Sequence, residues 1–242
     1  YKKLQRDGLL ERDVDRLIRN DRVAWGSSMI ACKDADAMVT GNIRHYAASV
    51  EKLKKFVDPR EGETIFGMTI IVSKGKTILV ADTNVQDFPS AERLVNTSIS
   101  CVRVARLFGF EPKVAFLSHS TFGKPVSRNT KHVRDAIELL RSKKVNFDFD
   151  GEMQPDVALN PIYQEVYPFS KIVGKANILI MPALHSAAIS TKLMKTFGGA
   201  KLIGPLLIGL GLPIEVAPLR SSTSDILNLA SVAAYSSDVI DY

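Results

Sequence analysis

Gly174-Lys175-Ala176-Asn177-Ile178-Leu179-Ile180-Met181-Pro182 sets a short run of large apolar residues between a glycine and a proline. Four residues are too few for a helix, and an apolar run without alternation reads as a strand buried on both faces, as in parallel sheets. Downstream the chain continues into a helical stretch ending at Lys195, then Gly204-Pro205-Leu206-Leu207-Ile208-Gly209, and then Pro218-Leu219-Arg220. Small residues bracket each apolar run, and such places let a backbone approach a ligand closely.

Upstream, helical and extended patterns alternate. Val14, Leu17 and Ile18 recur at helical spacing within 11–20, a small-residue apolar segment occupies 25–31 in a helix-strand-helix rhythm, and 47–56 is helical with Val50, Leu53 and Phe56 on one face. Residues 64–72 and 77–81 flank Lys74-Gly75-Lys76 as a hairpin. Pro89-Ser90-Ala91-Glu92 opens a helix that Gly109 stops, followed by a strand over 114–117. The loop 118–123 then leads to a helix over 126–142, a strand over 148–152, a helix over 158–167, the buried strand at 178–181 and a last helix over 225–235. This order predicts a doubly wound α/β architecture with largely parallel strands, in which ligands collect beyond the carboxyl ends of the strands. The loops after Leu117, Phe149, Met181 and Pro218 are therefore the places to search.

Composition narrows the classes. The 242 residues are 45% hydrophobic and mean hydropathy is near zero, enough to bury a core in one or two domains. The longest apolar run, 202–214, is interrupted by glycines and prolines and is too short for a bilayer, so no membrane partner is expected. Cys32 and Cys101 form neither a metal spacing nor a disulfide framework, which suits a reducing cytoplasm. A chain that opens on Tyr1 with no leader is expected to be a piece of a longer polypeptide. The net charge of +6 fits several anionic partners. Its basic residues are dispersed and not interleaved with aromatics, so nucleic acid is not expected.

Four loops carry candidate chemistry. Ser118-His119-Ser120-Thr121-Phe122-Gly123 either receives an anion on hydroxyls and N–H groups at a helix N-terminus or is an ordinary capping turn. Asp150, Glu152 and Asp156 suggest a metal site or an acid/base pair, or else solvated turns and caps. Lys175 and Asn177 beside Gly174 form a ligand wall or a structural Asx turn. Arg220, followed by Ser221-Ser222-Thr223, is a bidentate phosphate partner or a surface arginine next to helix caps. His45, His119, His132 and His185 belong to no hydrolase template, and neither a dinucleotide fingerprint nor a Walker loop occurs. No metal ligands and no catalytic residues are assigned.

Five segments in order resemble the phosphotransacetylases: 34–41 (Asp-Ala-Asp-Ala-Met-Val-Thr-Gly), 112–120, 149–159, 174–182 and 204–209. Within that family Ser-His-Ser before Phe-Gly, and Gly-Glu-Met, look most similar to the phosphotransacetylase-like C-terminal domain of large NADP-dependent malic enzymes. The resemblance implies two α/β domains with largely parallel sheets and a cleft for coenzyme A between them. The first would be 1–62 with 209–242, lacking its N-terminal portion, and the second 63–208.

The resemblance also implies losses. Where the family has Leu-Ser-Arg-Gly, this chain has Pro218-Leu219-Arg220-Ser221, with leucine at the serine position; a family arginine aligns with Glu51 and another with Leu4, next to Arg6. Asp225 matches a family aspartate only with a one-residue deletion after Arg220. The implied protein binds acetyl-CoA without transferring its acyl group, and inhibits a malic enzyme catalytic domain of the same polypeptide within a homo-oligomer. NADP and a divalent metal would belong to that catalytic domain alone. The implied ligand contacts are Ser118, Ser120, Thr121 and Gly123 as an anion loop, Gly174, Lys175 and Asn177 as a wall, and Arg220 with Ser221 at the phosphates or thioester. An active phosphate acetyltransferase with relocated residues is the rival expectation.

Overall fold

The computed structural model describes residues 1–82, 85, 87–126 and 128–239. In chain order the elements are α1 (Glu11–Asn20), α2 (Arg22–Ala31), β1 (Met38–Gly41), α3 (Tyr46–Phe56), β2 (Phe66–Ser73), β3 (Lys76–Ala81), α4 (Ala91–Leu107) and β4 (Lys113–Leu117). There follow α5 (Lys131–Ser142), β5 (Asp148–Met153), α6 (Pro155–Leu159), β6 (Ile178–Ile180), α7 (Leu184–Thr196), β7 (Lys201–Ile208), β8 (Ile214–Ala217) and α8 (Thr223–Val239). The chain forms two compact units, Tyr1–Ile65 with Ile203–Tyr242, and Phe66–Leu202. β7 carries the chain from the second into the first.

In the second unit the strands run β5-β4-β6-β3-β2, all parallel except the β2–β3 hairpin. The hairpin turns on Lys74 and Gly75, both at positive φ, as a two-residue type I′ turn requires. Ile178 and Ile180 are sealed from solvent between β3 and β4, so the short apolar run is a central strand. On α4, Ser90 caps the first turn by accepting from the Arg93 N–H at 3.3 Å. On α5, Val133, Ala136, Ile137 and Leu140 are buried at i, i+3, i+4 and i+7.

In the first unit, β1 and β8 pair in parallel from Met38 opposite Ile214 to Gly41 opposite Ala217. Gly41 has φ +108°, and a Cβ there would stand 2.3 Å from the Ala217 carbonyl oxygen, so only glycine lets the strands approach.

Three local expectations are corrected. The small-residue segment at 25–31 is helical, as part of α2. Asp21 accepts from the N–H groups of Val23 and Ala24, and Val23, Ala24, Ser27 and Ile30 turn one face inward. The helix expected from Val126 begins at Lys131. The residues just before it, Arg128–Thr130, form a tighter 3₁₀ turn in place of α-helix, and Ser127 lies outside the described residues. The helix expected over 158–167 is α6 followed by a 3₁₀ turn at Pro161–Gln164, because Pro161 has no N–H with which to continue the ladder.

Candidate functional site

Beside the carboxyl ends of the parallel pair β1–β8 the first unit has a cavity. Past Gly41 the chain turns left-handed at Asn42, whose N–H donates to Ala217 O at 2.9 Å. Past β8 the chain turns left-handed at Arg220, whose N–H donates to Asn42 O at 3.2 Å. The two loops are thus stitched together, and Arg220 stands beside the loop that bounds the cavity. The Ser221 hydroxyl donates to Pro218 O at 2.8 Å, while Ser222 caps α8 in a reciprocal arrangement with Asp225.

The cavity, of about 290 Å³, is lined by Asn20, Arg22, Val23, Thr40, Gly41, Ile43, Arg44 and Ser49. Ser49 is buried, and among the described residues its hydroxyl has no hydrogen-bond partner; the same holds for Asn42 Oδ1. Such orphaned groups are uncommon in interiors and suit a bound ligand or water. Positive charge prevails at this corner. Arg44 reaches the buried Asp21 at 3.4 Å, but Asp21 is shared with Lys52, and Arg22 and Arg220 are exposed. Burial by itself would raise the Asp21 pKa; the Lys52 ammonium, the Ala24 N–H and Arg44 together hold it below its ordinary value.

Leu219 is half exposed in the loop after β8. Glu51 lies on an exposed face of α3 and pairs with Lys54 at 2.9 Å. Its charge is therefore largely screened by water rather than set in a poorly solvated recess. Leu4 is a core side chain, and Arg6 is exposed.

In the second unit the loop after β4 turns its donors inward. Ser120 Oγ donates to Glu152 Oε1 at 2.9 Å, the Gly123 N–H donates to the same oxygen at 3.1 Å, and Arg134 approaches it at 3.4 Å. Ser118 Oγ lies 3.0 Å from Ser120 Oγ, and Thr121 Oγ1 accepts from the Gln154 N–H. Two donors of this loop, the Ser120 hydroxyl and the Gly123 N–H, are thus taken up by a carboxylate of the protein itself. Because α5 starts only at Lys131, these groups are not at a helix N-terminus. Asp150 is likewise buried, accepting from Arg141, from its neighbour Gly151 N–H and from the Lys171 N–H. Among the described residues no group of His, Cys, Asp and Glu is arranged to hold a metal ion.

Gly174, Lys175 and Asn177 stand at the entry to β6, level with the start of β4. Asn177 Oδ1 accepts from the Lys113 N–H at 2.8 Å, and its Nδ2 donates to Glu111 O at 2.7 Å, fastening the amino ends of two strands. Lys175 is exposed. Ser118 leaves the other end of β4, roughly 16 Å away at about 3.3 Å per residue. Strand direction thus separates these three residues from the 118–123 loop, and the structure does not bring the two sets together.

The residues that sequence reasoning missed are Asn20, Arg22, Thr40, Arg44 and Ser49. A signal for them existed: Met38-Val39-Thr40 ends on a glycine with a basic residue three positions on, and the rule about carboxyl ends of strands applies there once 38–41 is recognised as a strand.

Comparison with known proteins agrees with this architecture. The model of the phosphate acetyl/butaryl transferase family matches residues 1–234. An NADP-dependent malic enzyme of Rhizobium meliloti is 45% identical over 235 residues, covering 97% of this chain and 31% of the relative. A phosphate acetyltransferase of Bacillus subtilis is 29% identical, covering 95% of this chain and 72% of the relative. The crystal structure of a phosphotransacetylase from Streptococcus pyogenes superposes with TM-score 0.90 at 27% identity, over 98% of this chain and 73% of that one. The chain thus spans about a third of the length of the malic enzyme it matches, and about 72% of that of the Bacillus subtilis transferase. It belongs to the phosphate acetyl/butaryl transferase family.

Proposed function

We propose that this chain is an acetyl-CoA-sensing regulatory domain of an NADP-dependent malic enzyme, derived from a phosphotransacetylase and no longer an acyl transferase. The observation that carries the reading is the pairing of a cationic cavity at the ends of β1 and β8 with leucine, at 219, next to Arg220. Guanidinium groups and loop N–H groups are enough to bind the phosphates of a coenzyme A ester. Acyl transfer to phosphate needs in addition a second anion position and donors aimed at the developing oxyanion. Leu219 offers no hydroxyl for that purpose. Similarity to a malic enzyme over nearly the whole chain supports the choice of parent protein.

In this reading acetyl-CoA binds one state of the assembly more tightly than another, and its occupancy lowers malate decarboxylation by the catalytic domain of the same polypeptide. NADP and the divalent metal act in that catalytic domain, and the cytoplasm is the compartment. Titration calorimetry with acetyl-CoA is expected to give saturable binding that weakens roughly tenfold in Arg220→Ala. Absence of binding heat and of any thermal shift in the wild type overturns the reading.

The second reading, an active phosphate acetyltransferase, is favoured by the similarity to the Bacillus subtilis enzyme. Thiol release from acetyl-CoA in the presence of phosphate separates the two: robust turnover selects the transferase. Malate kinetics of the full-length protein with and without acetyl-CoA, and again after deletion of this domain, test the regulatory role.

A further inference from the structure

Beside the amino end of β5, away from the 118–123 loop at the carboxyl end of β4, the second unit has another cavity. It measures about 420 Å³, near the lower end of the ~300–1,000 Å³ usual for small-molecule sites. The last turns of α4 supply Val102 and Leu107, and the connection from α5 to β5 supplies Val145 and Phe147. Val102 is buried and the other three are half-buried, so together they make an apolar floor that water wets poorly. The Phe147 ring is braced by Phe149, 5.9 Å away between ring centres.

The rim is cationic. Arg103 and Arg106 are the charged residues among those lining the cavity. Arg106 Nη1 donates to Asn146 Oδ1 at 3.3 Å and its Nη2 to Asn146 O at 2.9 Å. Both acceptors are neutral, so they fix the guanidinium at the rim without cancelling its charge, and the rest of its five N–H groups stay open to a ligand. Neither 93–107 nor 139–147 contains an aspartate or glutamate. Lys143 and Lys144, exposed in the turn that bears Val145, are in no ion pair among the described residues, whereas Arg141 is taken up by Glu138 and Asp150. Exposed Glu111 and Asp148 precede β4 and open β5, and neither lines the cavity.

This combination selects a ligand. A carboxylate can lie across the open N–H groups of Arg106 in the paired geometry that a guanidinium favours. A phosphate ester or another dianion would leave oxygens over the apolar floor without donors, and would face the negative end of α4. A neutral apolar molecule would leave the guanidinium unanswered.

We infer that this groove binds a small monocarboxylate with a compact aromatic or branched body, its carboxylate on Arg106 and its body on Val102, Leu107, Val145 and Phe147. The groove lies wholly in the second unit and does not depend on which ligand the first unit binds.

Phenylacetate is a suitable probe, with phenylacetamide, acetate and phenethylamine as controls, and nuclear magnetic resonance shifts of the 242-residue chain as the readout. Phenylacetate is expected to shift the methyl signals of Val102, Leu107 and Val145 saturably, with a dissociation constant of about 1 mM or tighter. Phenylacetamide and acetate should bind roughly tenfold more weakly or worse, and phenethylamine should not bind. Arg106→Gln is expected to weaken phenylacetate roughly tenfold while leaving phenylacetamide within about twofold, a split that a merely structural role for Arg106 would not produce. No shift up to about 10 mM phenylacetate overturns the inference, as do shifts centred elsewhere. Equal binding of the amide removes the carboxylate from the reading, and acetate as tight as phenylacetate removes the apolar body; either result also overturns it. Should Arg106→Gln fail to fold, the comparison of phenylacetate with its amide on the wild type decides alone.

Discussion

Ser120 donates its hydroxyl to the Glu152 carboxylate at 2.9 Å, with both side chains sealed from solvent. The same carboxylate oxygen takes the Gly123 N–H and faces Arg134, so one buried carboxylate ties together two residues of the turn after β4. Removing it orphans an amide, takes a partner from a guanidinium and leaves the Ser120 hydroxyl only that of Ser118.

Glu152→Ala is accordingly expected to lower unfolding free energy by about 2–3 kcal/mol, below the cost of breaking a fully buried pair because Arg134 is about a third exposed. Urea unfolding followed by circular dichroism reads this as a lower midpoint at unchanged slope. A change under about 0.5 kcal/mol would mean that water replaces the carboxylate without loss.

Arg44 lines the cavity at the end of β1 while sharing Asp21 with Lys52. Arg44→Ala should leave Asp21 paired with Lys52, so that the fold tolerates the change, and the proposed function further requires it to weaken acetyl-CoA binding by roughly tenfold in calorimetry. Because the contact is electrostatic and partly exposed, the difference between wild type and variant should shrink as salt is raised.

Glu215 lies in the middle of β8 with one hydrogen bond from the Leu207 N–H at 2.8 Å. Burial pushes its pKa from 4.5 up to about 8, and the Leu207 N–H only partly offsets this. A group that holds its proton more tightly when folded favours the folded state fully below pH 4.5 and loses that contribution as pH rises to about 8. Glu215→Gln keeps the acceptor for Leu207 and removes the ionisation. It is expected to stabilise the protein at pH 7 by an amount on the order of 3 kcal/mol and to flatten the stability profile between pH 5 and 8. Parallel profiles for wild type and variant would contradict it.

At Gly41 an added methyl group would meet both a left-handed φ and the Ala217 carbonyl oxygen; at Gly75, also left-handed, it would meet open space. Gly41→Ala should therefore cost about 3 kcal/mol or more by forcing β1 from β8, and Gly75→Ala only about 1 kcal/mol of backbone strain. Thermal melts of the two variants side by side measure the difference. Equal losses would show that strain, not strand contact, is what Gly41 relieves.

Much of the architecture was legible from periodicity and punctuation. The buried run at 178–181 is a central strand, Lys74-Gly75 makes the hairpin, and Ser90 caps α4 because these depend on residues near one another in sequence. The candidate site was less legible. Arg220 and Asn42 are hydrogen-bonded across most of the chain, and Ser49 becomes an orphaned hydroxyl only because α3 packs it beside the end of β1.

From its own residues the chain determined which segments are strands and helices and that their alternation makes an α/β protein, since burial periodicity, caps and turn residues act over a few positions. Tertiary structure alone decided where the polar groups point. It gave the Ser120 hydroxyl and the Gly123 N–H to Glu152, placed Asn177 at the opposite end of β4 from Ser118, and left Arg22, Arg44 and Arg220 around one corner of the first unit. The reason is geometric: strand direction and pairing fix which ends become neighbours, and a hydrogen bond between distant residues leaves no trace in the spacing of either.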